Sequence, residues 1–115
     1  MSENAVTETN NYTIPDLVEM FGVSPGKVHR LIEDHYLAAV RIDGVLHVPA
    51  EFVHEGEPLS SLRGTLLALL DAGFSDDEAV AWLFEDSEEL GERPIDALLA
   101  GKKSAVRRAT QGLAF

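Results

Sequence analysis

Ser24, Lys27, His29 and Arg30 fall within one turn or two of each other and group four anion-seeking side chains in one short stretch. Lysine and arginine bring fixed positive charge. A guanidinium offers paired N–H donors to a phosphate or to the major-groove edge of guanine, and a hydroxyl or imidazole donates or accepts beside it. Arg41 and His47 repeat the pattern a short way downstream. Chemistry of this kind recognises a polyanion and makes no bonds. Catalysis would need a nucleophile beside a base, a carboxylate pair in a pocket or a metal, and no stretch of the chain groups such residues, so no enzyme activity is expected. The histidines His29, His35, His47 and His54 share no ligand spacing, and the chain has 0 cysteines, so neither a zinc site nor any other cofactor is expected. Gly101-Lys102-Lys103-Ser104 matches the end of a phosphate-binding loop, but Asp96 stands where the upstream glycine belongs and no strand precedes it.

These side chains act together only if a helix and a hairpin hold them. Thr13 ahead of Pro15 predicts a helix start, Ile14, Leu17, Val18 and Phe21 recur at helical spacing, and Gly22 predicts the end. Ser24 and Pro25 then cap and open a second helix over 24–36, with Val28, Leu31 and Ile32 on its inner side. That phase leaves Gly26, Lys27, His29, Arg30 and Glu33 on the outer face. Beyond Leu37 the period changes to two: Val40 and Ile42 flank Arg41, Asp43-Gly44 follows, and Val45-Leu46-His47-Val48 closes at Pro49. An Asp-Gly pair between two β-prone runs predicts a tight hairpin, here over 39–48. Helix, turn, helix and hairpin in this order make a winged helix-turn-helix, whose second helix enters the major groove while the wing lies on the backbone.

Double-stranded DNA is therefore the expected partner, and the overall charge of −11 works against tight binding. Residues 1–57 hold ten acids against Lys27, Arg30 and Arg41, a net −7; residues 58–115 hold ten acids against six bases, a net −4. Only the local grouping of the three bases, with His29 and His47 near them, can make a positive spot. For Lys27 and Arg30 the competing role is a solvated helix face; for His29 it is an idle surface position. No apolar run approaches a membrane span and the first residues lack a signal-peptide pattern, which predicts a cytoplasmic protein with no membrane partner.

The run Tyr12, Thr13, Gly22, Val23, Ser24, Pro25, Val28, Arg30, Leu31, Ile32, Val40, Arg41, Ile42, Gly44, Val48 and Pro49 resembles the excisionase-like and MerR-like winged-helix family. The resemblance implies a DNA-binding domain over 12–55, and the low apolar content of residues 1–11 predicts a disordered tail ahead of it. Gly26 stands where relatives often carry a basic or polar residue, and Val45 and His47 stand where the wing often carries arginine. Both departures remove phosphate contacts.

A second module is expected over 59–115, joined by a short linker in the stretch HEGEPLSSLRG. Leu62, Leu66, Leu69 and Leu70 form one helical stripe ended by Gly73, Ser75 to Glu78 reads as a capping box for a second helix, Pro94 starts a third stopped by Gly101, and a fourth carries Ala105, Val106 and Ala109. Four short helices predict a small bundle, with Trp82 in its core beside Val80, Leu83 and Phe84 and the acidic run 85–89 as a solvated helix end. Lys102, Lys103, Arg107 and Arg108 are assigned to pairing with that acidic run in preference to DNA flanks or an acidic partner. Leu90, Gly91, Arg93, Pro94, Ile95, Asp96, Leu98, Leu99 and Gly101 resemble the carboxy-terminal module of Xre-type antitoxins.

Together the two halves resemble a small group of actinobacterial winged-helix DNA-binding proteins with a helical tail domain of unassigned role. In that group the amino-terminal tail is a proposed target of a Ser/Thr kinase, which here points to Thr7 and Thr9; a solvated, unmodified tail is the alternative. The fold expected is mainly α with a small β-hairpin wing, and the function a transcriptional regulator. A single reading head with few phosphate contacts binds usefully when doubled, so a homodimer on two half-sites is expected. The alternative is an antitoxin-like module whose C-terminal helices bind a partner protein, with weak or lost DNA binding.

Overall fold

A computed structural model of the chain describes residues 10–113 and divides into two compact units, Met1–Ser60 and Ser61–Phe115. In the first, strand β1 (Asn11–Tyr12) leads into helix α1 (Ile14–Phe21), helix α2 (Pro25–Glu33) and the hairpin β2 (Val40–Ile42) and β3 (Val45–Pro49). A single 3₁₀ turn over Ala50–Phe52 then opens a second hairpin, β4 (Val53–His54) and β5 (Glu57–Pro58).

Each junction has a local cause. At the start of α1 the Thr13 hydroxyl accepts from the Asp16 N–H, and the Asp16 carboxylate accepts from the Thr13 N–H at 3.0 Å, a capping box with Pro15 in the first turn. At its end Gly22 takes φ 68°, and the Val23 N–H reaches back to the Val18 carbonyl. The wing turn places Asp43 at φ 54° and Gly44 at φ 82°, the pair of positive values a two-residue hairpin demands. Its strands pair Val40 with His47, Arg41 with Leu46 and Ile42 with Val45.

Two expectations give way here. The tail predicted to be unstructured through Asn11 is not so at its end: Asn11 pairs with Pro49 and Tyr12 with Val48, so β1 completes a three-stranded sheet in the order β1-β3-β2. Backbone hydrogen bonding at the far edge of β3 drives this, and the Ala50 N–H donating to the Asn10 carbonyl at 3.0 Å extends it. The stretch read as linker contains the end of β4 and all of β5, joined by Glu55 at φ 54° and Gly56 at φ 79°, a turn of the same hand as the wing's. Leu17, Val28, Leu37, Val48 and Phe52 are all 0% exposed and form the heart of this unit.

The second unit contains helices α3 (Leu62–Asp71), α4 (Asp76–Phe84), α5 (Pro94–Leu99) and α6 (Lys103–Gln111). α3 packs on α4 and α6, and α5 on α4 and α6. Leu62, Leu69, Leu83, Ile95 and Val106 are 0% exposed. Ser75 caps α4 in a capping box with Glu78, while Gly73 and Gly101 end α3 and α5 in left-handed turns. The acidic run does not prolong α4. It leaves the helix after Phe84 and folds into a turn in which Ser87 bridges to Glu92, the Ser87 N–H donating to the Glu92 carbonyl at 3.1 Å. Trp82 is half-buried instead of core: Val80, Leu83 and Phe84 take the inner face of α4, and Trp82 lines a groove with Phe74, Ala81, Glu78 and Glu85.

Candidate nucleic-acid interface

Helix α2 presents its predicted face. Val28 is fully buried, Leu31 and Ile32 are half-buried, and Gly26, Lys27, His29, Arg30 and Glu33 are exposed. Lys27 and Arg30 stand one turn apart, so their charges share one side of the helix. The Ser24 side chain accepts from the Lys27 N–H at 3.1 Å, so its oxygen holds the helix start and its own proton is left to give to a ligand. The helix is shorter than 24–36. His35 takes φ 67°, its N–H bonds the Ile32 carbonyl, and the Tyr36 N–H bonds the Leu31 carbonyl at 2.9 Å, a Schellman closure built on histidine where glycine is usual.

On the wing, Arg41 is exposed and its Nη1 donates to the Gly44 carbonyl at 3.1 Å. The guanidinium is thereby tied across its own turn. Val45, half of whose surface is open, takes the other side of the turn. His47 differs from the rest. It is half-buried, its Nδ1 is enclosed without a hydrogen-bond partner, and its ring lies within electrostatic reach of Asp16. Thr7 and Thr9 lie outside the described residues.

The charges around this face are unequal. Asp16 is held below the ordinary aspartate value first by the Thr13 backbone N–H and then by the Thr13 hydroxyl, with His47 adding a smaller pull. A carboxylate thus remains ionised near the strand that carries His47. An open depression lined by Asn10, Asn11, Tyr12, Asp16, Glu19 and Met20 sets a second carboxylate, Glu19, beside Asp16 and adds no base. The positive surface of this unit is confined to α2 and the wing turn. Among the described residues no group of three or more histidine or carboxylate side chains could hold a metal ion, and no helix is long and apolar enough to cross a membrane.

In the second unit Arg93 forks onto Asp96, Nε to Oδ2 at 2.8 Å and Nη2 to Oδ1 at 2.9 Å, and lies 5.5 Å from the centre of the Phe84 ring. This bond keeps the Asp96 carboxyl below the ordinary aspartate range. Lys102 Nζ meets Glu92 at 2.8 Å. Pairing with the acidic run 85–89, assigned from the sequence to four cations, is observed for none of them: Lys102 pairs instead with Glu92, beyond that run, and Lys103, Arg107 and Arg108 are exposed and make no ion pair among the described residues. Periodicity could not separate these cases, since the partner of Lys102 sits in an irregular turn.

Residues 2–53 match the family described as "DNA-binding protein Rv2175c, wHTH domain", and residues 59–114 match "Rv2175c C-terminal domain of unknown function". The DNA-binding protein Rv2175c of Mycobacterium tuberculosis is 32% identical over 117 residues, an alignment spanning 90% of this chain and 80% of the relative. The NMR structure of Rv2175c superposes with a TM-score of 0.87 at 30% identity, covering 99% of this chain and 87% of that one. The match therefore runs through winged and helical modules alike, and this chain belongs to the Rv2175c family.

Proposed function

We propose that this protein is a DNA-binding transcriptional regulator in which α2 enters the major groove and the wing turn rests on the backbone. One observation carries the reading: α2 is capped by Ser24 and anchored through the fully buried Val28, so Lys27, His29 and Arg30 stand exposed together on its outer face. The relative named as a DNA-binding protein supports it. Ser24 at the helix start and Arg41 on the wing supply positioning contacts to phosphate. His47 contributes through the ring nitrogen that is not enclosed. The protein acts without catalysis and works in the cytoplasm.

The test is a fluorescence-anisotropy titration onto duplex DNA from upstream of its own gene and onto scrambled DNA. Lys27→Ala with Arg30→Ala should weaken binding to the native duplex at least tenfold, with an unchanged thermal melt, since a lost base contact costs about 1–3 kcal/mol. Unaltered affinity in that variant would remove α2 from the groove. Two further parts belong to the same proposal. The protein binds two half-sites as a homodimer, and a Ser/Thr kinase acts on Thr7 and Thr9, where phosphate adds about two negative charges just ahead of a strand of the wing sheet. Mass measurement of the DNA complex and affinity of a Thr7→Glu, Thr9→Glu variant check them in turn.

The groove beside Trp82 favours a second reading, in which the helical module captures a partner protein as the Xre-type antitoxins do. Stoichiometric recovery of a neighbour-encoded protein, lost on Trp82→Ala, would support that role over DNA binding.

A further inference from the structure

Helix α6 bears Lys103, Arg107 and Arg108 and no acid, whereas eight of the ten acids of its unit lie in residues 76–92, on α4 and the turn after it. The charge of this unit is therefore segregated, and one helix is left wholly basic. Its inner face is spoken for: Val106, Ala109 and Thr110 are buried. All three cations are exposed and make no ion pair among the described residues.

Helix stability does not explain their placement. Lys103 is the first residue of α6, where the helix dipole is positive and a cation costs about 0.3–1 kcal/mol. Lys102, at the cap position, has Glu92 to offset that repulsion; Lys103 has nothing comparable. α4 shows the opposite and favourable arrangement, with Asp76, Asp77 and Glu78 in its first turn. Solubility does not require the cations either, in a unit already at net −4. Arg107 is also steered. A Cβ at position 64 would lie 3.3 Å from its Nη2, so the guanidinium rests against bare helix backbone at Gly64 of α3. Lys103 and Arg107, one turn apart, share that side of α6.

We infer that the exposed cations of α6, Lys103, Arg107 and Arg108, bind the phosphate backbone of duplex DNA, giving the module of unknown function a direct share in DNA affinity. This rests on the DNA-binding function proposed above. It also answers the weakness of the winged unit, whose three bases face ten acids. The contact carries no sequence preference of its own, because it reads phosphate and no base edge.

The experiment compares the full chain with two variants, Lys103→Gln/Arg107→Gln/Arg108→Gln and Lys27→Ala/Arg30→Ala, in anisotropy titrations on native and scrambled duplexes at about 50, 100 and 200 mM salt. Each phosphate contact adds about 0.9 to the slope of log affinity against log salt, so the α6 variant should flatten the slope by up to about 2.7. It should weaken native and scrambled binding by the same factor. A slope and affinity equal to wild type in the α6 variant, with the α2 variant impaired, overturns the inference and leaves the winged site standing. A flattened slope in the α6 variant with native affinity in the α2 variant supports the inference and removes the proposed α2 contact. No salt-dependent binding by wild type overturns both. Lys103→Arg/Arg107→Lys/Arg108→Lys keeps charge at each position; if it binds as weakly as the glutamine variant, the effect is structural and the inference falls.

Discussion

Gly26 offers the sharpest test of how α2 meets DNA. It is exposed on the outer face one residue before Lys27, and a Cβ built there would meet only the Ser24 Oγ, at 3.9 Å, an ordinary contact. Its φ is not in the left-handed region, so a side chain brings no backbone strain. Replacing it with arginine has two opposed effects on the helix. Leaving glycine favours the helix by about 0.7 kcal/mol. A positive charge in the first turn costs about 0.3–1 kcal/mol against the dipole. The two nearly cancel, and Gly26→Arg should melt within a few degrees of wild type. Binding should change more. One added phosphate contact steepens the salt slope by about 0.9, which over a fourfold rise in salt is a further loss of about 3.5-fold. A net gain of about 1 kcal/mol at low salt corresponds to roughly fivefold tighter binding. Gly26→Ala is the control: it should raise the melt by roughly 4 °C and leave the salt slope alone. Anisotropy titrations at three salt concentrations, with thermal melts of the same samples, read all of this. A Gly26→Arg protein with unchanged slope and affinity would show that phosphates do not approach the amino-terminal turn of α2, and the groove-entry geometry would fall with it.

Two stability predictions complete the set. Asp96→Asn breaks the fork from Arg93 and should cost about 1 kcal/mol at neutral pH in urea unfolding, the pair being partly exposed. Because the folded pKa of Asp96 is depressed, its contribution is present above the ordinary aspartate value and lost as pH falls through the folded value. The gap between wild type and variant should therefore close below about pH 4, and a gap constant with pH would assign it to packing. Thr13→Ala removes the hydroxyl that caps α1 and should cost about 1 kcal/mol, read as a lower thermal midpoint; an unchanged midpoint would mean that the Asp16 carboxylate alone suffices to hold that helix end.

Where the chain announces structure through local chemistry, sequence and structure agree. Thr13 with Pro15, Ser24 with Pro25, Ser75 with Glu78 and Pro94 each open a helix where their side chains satisfy or dispense with a backbone N–H. Asp43-Gly44 makes its hairpin for the same local reason. The face of α2 was legible too, since Val28, Leu31 and Ile32 leave only one side for Lys27 and Arg30. What escaped depends on partners distant in sequence or on unusual residues in usual roles. β1 exists because Asn11 and Tyr12 meet a strand almost forty residues on, which no local window contains. α2 is closed just beyond its end by His35 in a left-handed turn, a weaker signal than the glycine usual there. Glu55-Gly56 turns a hairpin with glutamate where asparagine or aspartate would have signalled it. In the candidate site, the enclosure of the His47 ring nitrogen was hidden because it depends on what surrounds β3, and alternation along one strand does not reveal its neighbours.

The sheet of the winged unit is bounded by β1, two residues long, and β2, three residues long. Among the described residues, brief edges of this kind give a foreign strand little to zip onto, which disfavours assembly by strand addition and the runaway stacking that accompanies it. The homodimer proposed above is then expected to form side chain against side chain, a form of contact that a single surface substitution can abolish while every hydrogen bond of the fold remains in place.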